Sequence, residues 1–312
     1  MLFLIAGGVP MLLAARLLQG IATGAAMTTL GAALVDLNPP HAPGRAGLVN
    51  GIAPVSGLAL GALGCGALVQ LGPAPIHFVW GLLLAGMVLA GLAVVGIPET
   101  SARRPGAAAS LSPKLGVPAR LRADLLALTP IIVASWAIGG LYLSLGPSVA
   151  AGVFGLDNHL IGGLVVTLLC GTGAVTSYLL RNTPTPRVLA LASVLLTLGA
   201  LLSVVGLEFA NVWLAVAGTL LSGIGFGASA LAAFGTLALI AAPHERGELF
   251  AVALVIAYVA FSVPAVIAGF SATSAGLHVT ALVYGIAVAV LGAVAVVAQR
   301  LRGSAKAVQV MG

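Results

Sequence analysis

"LLQGIATGAAMTTLGAALVDLNPPH", residues 17–41, decides how this chain folds. It carries one acid, Asp36, and no Lys or Arg. A helix of about 20 mostly apolar residues is long enough to cross a bilayer. The stretch returns as "LLSGIGFGASALAAFGTLALIAAPH", residues 220–244: at a constant offset of 203 and without gaps, nine of 25 positions are identical. Leu and Ala identities count for little in apolar sequence. Gly20/Gly223, Gly24/Gly227 and the loop pair Pro40-His41/Pro243-His244, each followed shortly by Arg (Arg45, Arg246), count for more. The second copy lies six spans on from the first, so both run in the same direction. That describes parallel repeats about an axis along the membrane normal, an architecture of secondary transporters.

Composition gives the same class. The 312 residues are 60% hydrophobic and 6% charged, with a mean hydropathy of +1.18; a soluble domain has roughly 25% charged residues. Such a chain cannot solvate its own exterior, so the expected fold is an all-α integral membrane protein of two pseudo-symmetric helical bundles. Nine apolar runs of bilayer length lie at about 11–36, 46–71, 77–98, 125–151, 159–180, 187–208, 211–241, 248–273 and 277–299. A partial tenth occupies 1–8 and breaks at "GGVP". Connections are short and carry Gly, Pro or charge, except 99–123, whose Pro, Ser, Arg and Ala read as a linker. The expected organisation is an incomplete N-terminal bundle (1–98), a cytoplasmic linker (99–123), a six-helix C-terminal bundle (124–302) and a cytoplasmic tail (303–312). The repeat also acts as a ruler. About 96 residues lie between the linker and Leu220, but 16 precede Leu17, which predicts that about 80 residues, roughly three helices less the stub, are missing from the first bundle.

The net charge of +6 and pI near 10.0 have a topological cause. Arg45, Arg103, Arg104, Lys114, Arg120, Arg122, Arg181, Arg187, Arg246, Arg300, Arg302 and Lys306 fall in alternate connections and the tail, and the opposite connections hold no basic residue. The positive-inside rule makes that side cytoplasmic, with the C-terminus there, so no nucleic-acid partner is expected. The membrane is expected to be a bacterial-type plasma membrane. Cys65 and Cys170 sit singly in apolar runs, which suits packing and not a metal site or disulfide framework. No GxSxG, HExxH, paired intramembrane carboxylates or phosphate-binding glycine loop is present, so an enzyme is not expected. No cofactor or metal is expected either.

Helical spacing places Arg16, Gln19, Thr23 and Ala26 on one face of the first span. The repeat carries that face onto Thr219, Ser222, Phe226 and Ser229. Nothing in lipid satisfies polar groups, so both stripes are expected to face the bundle interior. They are candidates for lining a cavity, with helix–helix hydrogen bonding as the alternative. Ser135, Trp136 and Tyr142 share one region of the fourth span and, with Tyr258 and more weakly Tyr178 and Phe261, are candidates for contacting an apolar or aromatic substrate. Gly20/Gly24 and Gly223/Gly227 are GxxxG pairs that let helices approach closely. Asn50, Pro54, Gly57, Gly61 and Gly64 form a small-residue row along the second span, suited to a rocking seam. Arg16 lies five residues from Met11, about 7.5 Å along the axis, close enough to the outer surface for its charge to snorkel there.

Over essentially its whole length the chain resembles the major facilitator superfamily. "RLLQGIATGAA" resembles the Arg-x-x-Gln-Gly motif of that family's fourth helix, with Arg16, Gln19 and Gly20 in the matching places. "DLNPPHAPGRAG" resembles the following loop, "GIPET" the end of the sixth helix, and "GLALGALGCGALV" the glycine-rich fifth-helix motif of the drug–proton antiporter branch, with Gly61-Ala62 where that branch has Gly-Pro. The resemblance implies a monomeric secondary transporter working by alternating access. It implies efflux of small, largely apolar molecules in exchange for protons, with Arg16 as the candidate coupling residue. An uptake permease and an inactive truncated remnant are the alternatives.

Overall fold

The structure, a computed structural model, describes residues 3, 5, 7–38, 45–72, 75–97, 116–242 and 245–311. The helices are α1 (Val9–Asp36), α2 (Arg45–Leu71), α3 (Pro75–Val95), α4 (Arg122–Ser144), α5 (Gly146–Gly152), α6 (His159–Leu179), α7 (Thr185–Glu208), α8 (Val212–Ile240), α9 (Arg246–Ser274) and α10 (Leu277–Met311). No strand occurs among the described residues. Nine of these helices are long and apolar enough to cross a membrane, as the run count predicts.

The polar breaks in the sequence act as helix starts. Asn158 caps α6 by accepting from the Leu160 amide at 2.8 Å, and Asn211 caps α8 by accepting from the Trp213 and Leu214 amides at 3.0 and 3.1 Å. Such side-chain oxygens satisfy amides that the helix itself leaves without partners. The turn before α10 passes through Gly276 at φ +86°, a conformation suited to a residue without Cβ.

Three boundaries differ from the sequence expectation. The run 125–151 is two helices, α4 and the short α5, because Pro147 has no amide to continue the ladder after Leu145. The linker 99–123 ends early: a 3₁₀ turn at Ala119–Leu121 leads straight into α4, and Leu121 is already buried. Residues 98–115 lie outside the described residues. The tail 303–312 is helical to Met311, as part of α10. Hydropathy falls after Leu301, but Ala, Lys, Gln and Arg are good helix formers, so the apolar span ends there and the helix does not.

Helices α4 and α6–α10 enclose one core. Leu128, Ile131, Ile138, Leu169, Leu196, Leu237, Leu249 and Val288 are almost wholly buried in it. Small residues set how close the helices come. Gly199 lies against the Ser222 backbone amide, Gly206 against Ala215 and Gly225 against Leu196, which draws α7 and α8 together. Lipid tails are as apolar as Leu, so close van der Waals contact, more than a hydrophobic force, holds such helices together. Helix α10 packs on α7 and α4, and α9 packs on α4. Helix α6 packs on α8, and α8 also packs on α4.

The first part of the chain meets that bundle through α2 on α6. Helices α1 and α3 pack chiefly on α2, and no residue in the most apolar stretch of α1 is buried.

Candidate functional site

Four aromatic side chains of α4, α8 and α9 gather near Gly139. Trp136 of α4 lies 5.1 Å from Tyr258 and 6.3 Å, edge-on, from Phe261, both of α9. These are favourable offset and edge-to-face separations. Phe226 of α8 comes within contact of Gly139 on α4 and of Gly173 on α6, and Phe261 also reaches Gly139. Gly139 thus leaves the room into which both Phe rings reach. Trp136, Phe226 and Phe261 are half-buried and Tyr258 is 53% exposed, so the cluster has one accessible side. All four positions fall near the middle of their helices.

The polar residues singled out in the sequence go deeper. Ser135, Tyr142, Thr219, Ser222 and Ser229 are all buried inside the bundle. The Tyr142 hydroxyl sits between Ser203 Oγ at 2.8 Å and Thr219 Oγ1 at 2.9 Å, joining α4, α7 and α8. Thr219 and Ser229 also donate to the carbonyls of Ala215 and Gly225 on their own helix, at 2.8 and 2.6 Å. Tyr142 and Thr219 thus bridge helices, the alternative that the sequence left open beside a cavity lining. Ser203 was missed because a lone Ser in an apolar run carries no signal until its partners are known.

The first copy of the repeat behaves differently. Arg16, Gln19 and Thr23 are exposed, and α2 is the main helix packed on α1. Arg16 Nη1 donates to Gln19 Oε1 at 2.7 Å, and its guanidinium lies 5.0 Å over the Phe3 ring, which stacks on Trp80 at 4.7 Å. No carboxylate forms an ion pair with it among the described residues. Gly20 and Gly24 have open space beside them, whereas Gly223 and Gly227 press against Leu169, Thr172 and Gly173 of α6. Of the two GxxxG pairs, only the second makes a close helix contact here.

The seam between the two parts also differs from expectation. Asn50 donates to the Gly31 carbonyl at 3.4 Å and so ties α2 to α1, while Gly57, Gly61 and Gly64 face open space. Pro54 sits within α2 on the same row. The row that meets α6 is Val55, Ala59, Ala62, Gly66 and Gln70. Thr167 Oγ1 donates to the Ala59 carbonyl at 2.9 Å, the His159 amide donates to Gln70 Oε1 at 3.1 Å, and Gly163 lies against the Ala62 carbonyl. Both rows are rich in small residues, so spacing alone could not choose between them. The Gly162-Gly163 pair on α6 was the available signal.

At the end of the bundle where the basic residues gather, Arg120 pairs with Glu245 and donates to the Ile240 carbonyl at 3.3 Å. Glu245 also accepts from the Ala242 amide at 3.0 Å. This joins the approach to α4 to the α8–α9 connection. His41 and His244 lie outside the described residues.

The family model of the Major Facilitator Superfamily matches residues 1–202. No curated protein matches the chain.

Proposed function

The chain belongs to the Major Facilitator Superfamily, and on that premise we propose that it is a secondary transporter exporting small, largely apolar molecules in exchange for protons. The accessible aromatic cluster of Trp136, Phe226, Tyr258 and Phe261 carries this reading. It offers flat apolar faces near the middle of the helices that carry it, and a site near the bilayer midplane suits alternating access. The basic end is cytoplasmic by the positive-inside rule. Arg16 is the coupling residue in this reading, with Gln19 orienting its guanidinium.

The test uses the full chain in proteoliposomes with an imposed pH gradient and a panel of lipophilic aromatic dyes. Gradient-driven dye movement that a protonophore abolishes is expected. Trp136→Ala is expected to lower it by about tenfold at equal protein abundance, the loss of one or two aromatic contacts. Arg16→Ala should abolish gradient-driven movement while leaving downhill exchange. No gradient-driven movement of any dye, or movement indifferent to Trp136→Ala, overturns the reading.

A further inference from the structure

A cavity of about 550 Å³ opens at the basic end of the bundle. That volume is within the roughly 300–1,000 Å³ of small-molecule sites. One side of it is polar. Arg181 and Thr183 come from the α6–α7 connection, Thr185 from the first residue of α7, and Arg246 from the first residue of α9. No acid lines it. Neither arginine is in an ion pair among the described residues. Each is instead held by a single backbone contact: Arg181 Nη1 donates to the Tyr178 carbonyl at 2.6 Å, with its guanidinium 3.9 Å over the Tyr178 ring, and Arg246 Nε donates to the Ala241 carbonyl at 3.3 Å. The forks are thus positioned while their remaining N–H groups stay available.

The other side is apolar and belongs to α8, from Leu231 to Leu239. Eight residues of helix cover about 12 Å, so this wall leads from the basic end towards the hydrophobic part of the span. Two guanidiniums and two hydroxyls without a counter-charge match a phosphoryl group, the acceptor that planar Arg forks recognise best. A wall of that length matches an apolar tail attached to it. We propose that this cleft binds a phosphate ester with an apolar tail, its phosphoryl oxygens on Arg181 and Arg246 and its tail along α8. A phospholipid headgroup and a soluble phosphate share the polar half of that chemistry, and the experiment separates them.

The full chain in detergent is titrated with phosphatidylglycerol and, separately, with inorganic phosphate, and adducts are read by native mass spectrometry. The Arg181→Gln/Arg246→Gln double variant is expected to bind about tenfold or more weakly. The control Arg122→Gln/Arg187→Gln removes equal charge from outside the cleft and is expected to bind as the parent does. Gly235→Leu supplies a third arm. Gly235 lines the apolar wall, and the Thr185 methyl, 3.9 Å from an added Cβ, is its nearest neighbour. The variant keeps both arginines, so it also serves if the double variant fails to fold. Loss of phosphatidylglycerol binding on Gly235→Leu identifies a lipid ligand. Arginine-dependent phosphate binding that ignores Gly235→Leu identifies a soluble one. Equal losses in the cleft and control variants, or no arginine-dependent adduct, overturn the proposal.

Discussion

Gly24 and Gly227 occupy the same place in the two copies of the repeat, and the structure predicts opposite consequences for the same substitution. A Cβ on Gly227 falls on the Gly173 carbonyl oxygen and 2.7 Å from the Gly173 Cα. Both are backbone atoms, so no rotamer change relieves the clash. Ordinary contact begins near 3.4 Å, so relieving the Gly173 Cα alone takes about 0.7 Å, and the nearer carbonyl oxygen forces α8 to withdraw from α6 by more than that. That movement also stretches the bond from Ser177 Oγ to the Gly227 carbonyl, now 3.0 Å. Overpacking of this kind costs about 1–3 kcal/mol, of which the better helix propensity of Ala returns up to about 1 kcal/mol. At about 2–4 °C per kcal/mol, Gly227→Ala is expected to lower Tm by about 4 °C. Nothing lies within 4 Å of a Cβ on Gly24, so Gly24→Ala should leave Tm unchanged or raise it slightly. Thermal unfolding of the purified chain, followed by tryptophan fluorescence, measures both. A Gly227→Ala protein as stable as the parent, or an equal drop in Gly24→Ala, would refute the close contact between α6 and α8.

Two further outcomes follow from the same geometry. Tyr142→Phe removes the hydroxyl shared by Ser203 and Thr219 and should destabilise by about 0.6–1.7 kcal/mol, the range for hydrogen bonds between membrane helices, read as a lower Tm with dye transport retained; lost transport at unchanged Tm would return Tyr142 to the transport site. The added Cβ of Gly171 would stand 3.8 Å from the Cβ of Ala59, the usual separation across a disulfide. In a Cys65→Ser/Cys170→Ala background, Ala59→Cys with Gly171→Cys should cross-link under mild oxidation and halt transport until reduced. Full transport with complete cross-linking would show that α2 and α6 need not move apart.

The aromatic cluster and the buried polar contacts share a helix and were nearly indistinguishable in one dimension. Trp136 and Tyr142 lie on α4, six residues apart, yet one ends at an accessible face and the other between two hydroxyls in the core. Which face of a membrane helix is buried is hard to read here because every face is apolar, so there is no polar side to mark the exterior. The seam on α2 shows the same limit: two rows of small residues were available, and only the position of Gly163 and Thr167 on α6 selects Ala59, Ala62 and Gly66.

By itself, the sequence determined everything that the bilayer dictates. The nine spans follow from the length of apolar chain needed to cross the hydrocarbon, and the two-bundle architecture was expected from the repeat of 17–41 at 220–244. The family was legible in Arg16, Gln19 and Gly20, and the match over residues 1–202 agrees. Only the tertiary structure decided which side chains meet, Tyr142 with Ser203 and Thr219 and Phe226 with Gly139 and Gly173, and that Arg181 and Arg246 line one cleft. The physical reason is that insertion depends on hydropathy, a property each segment carries alone, whereas packing depends on the fit of two surfaces far apart in the chain.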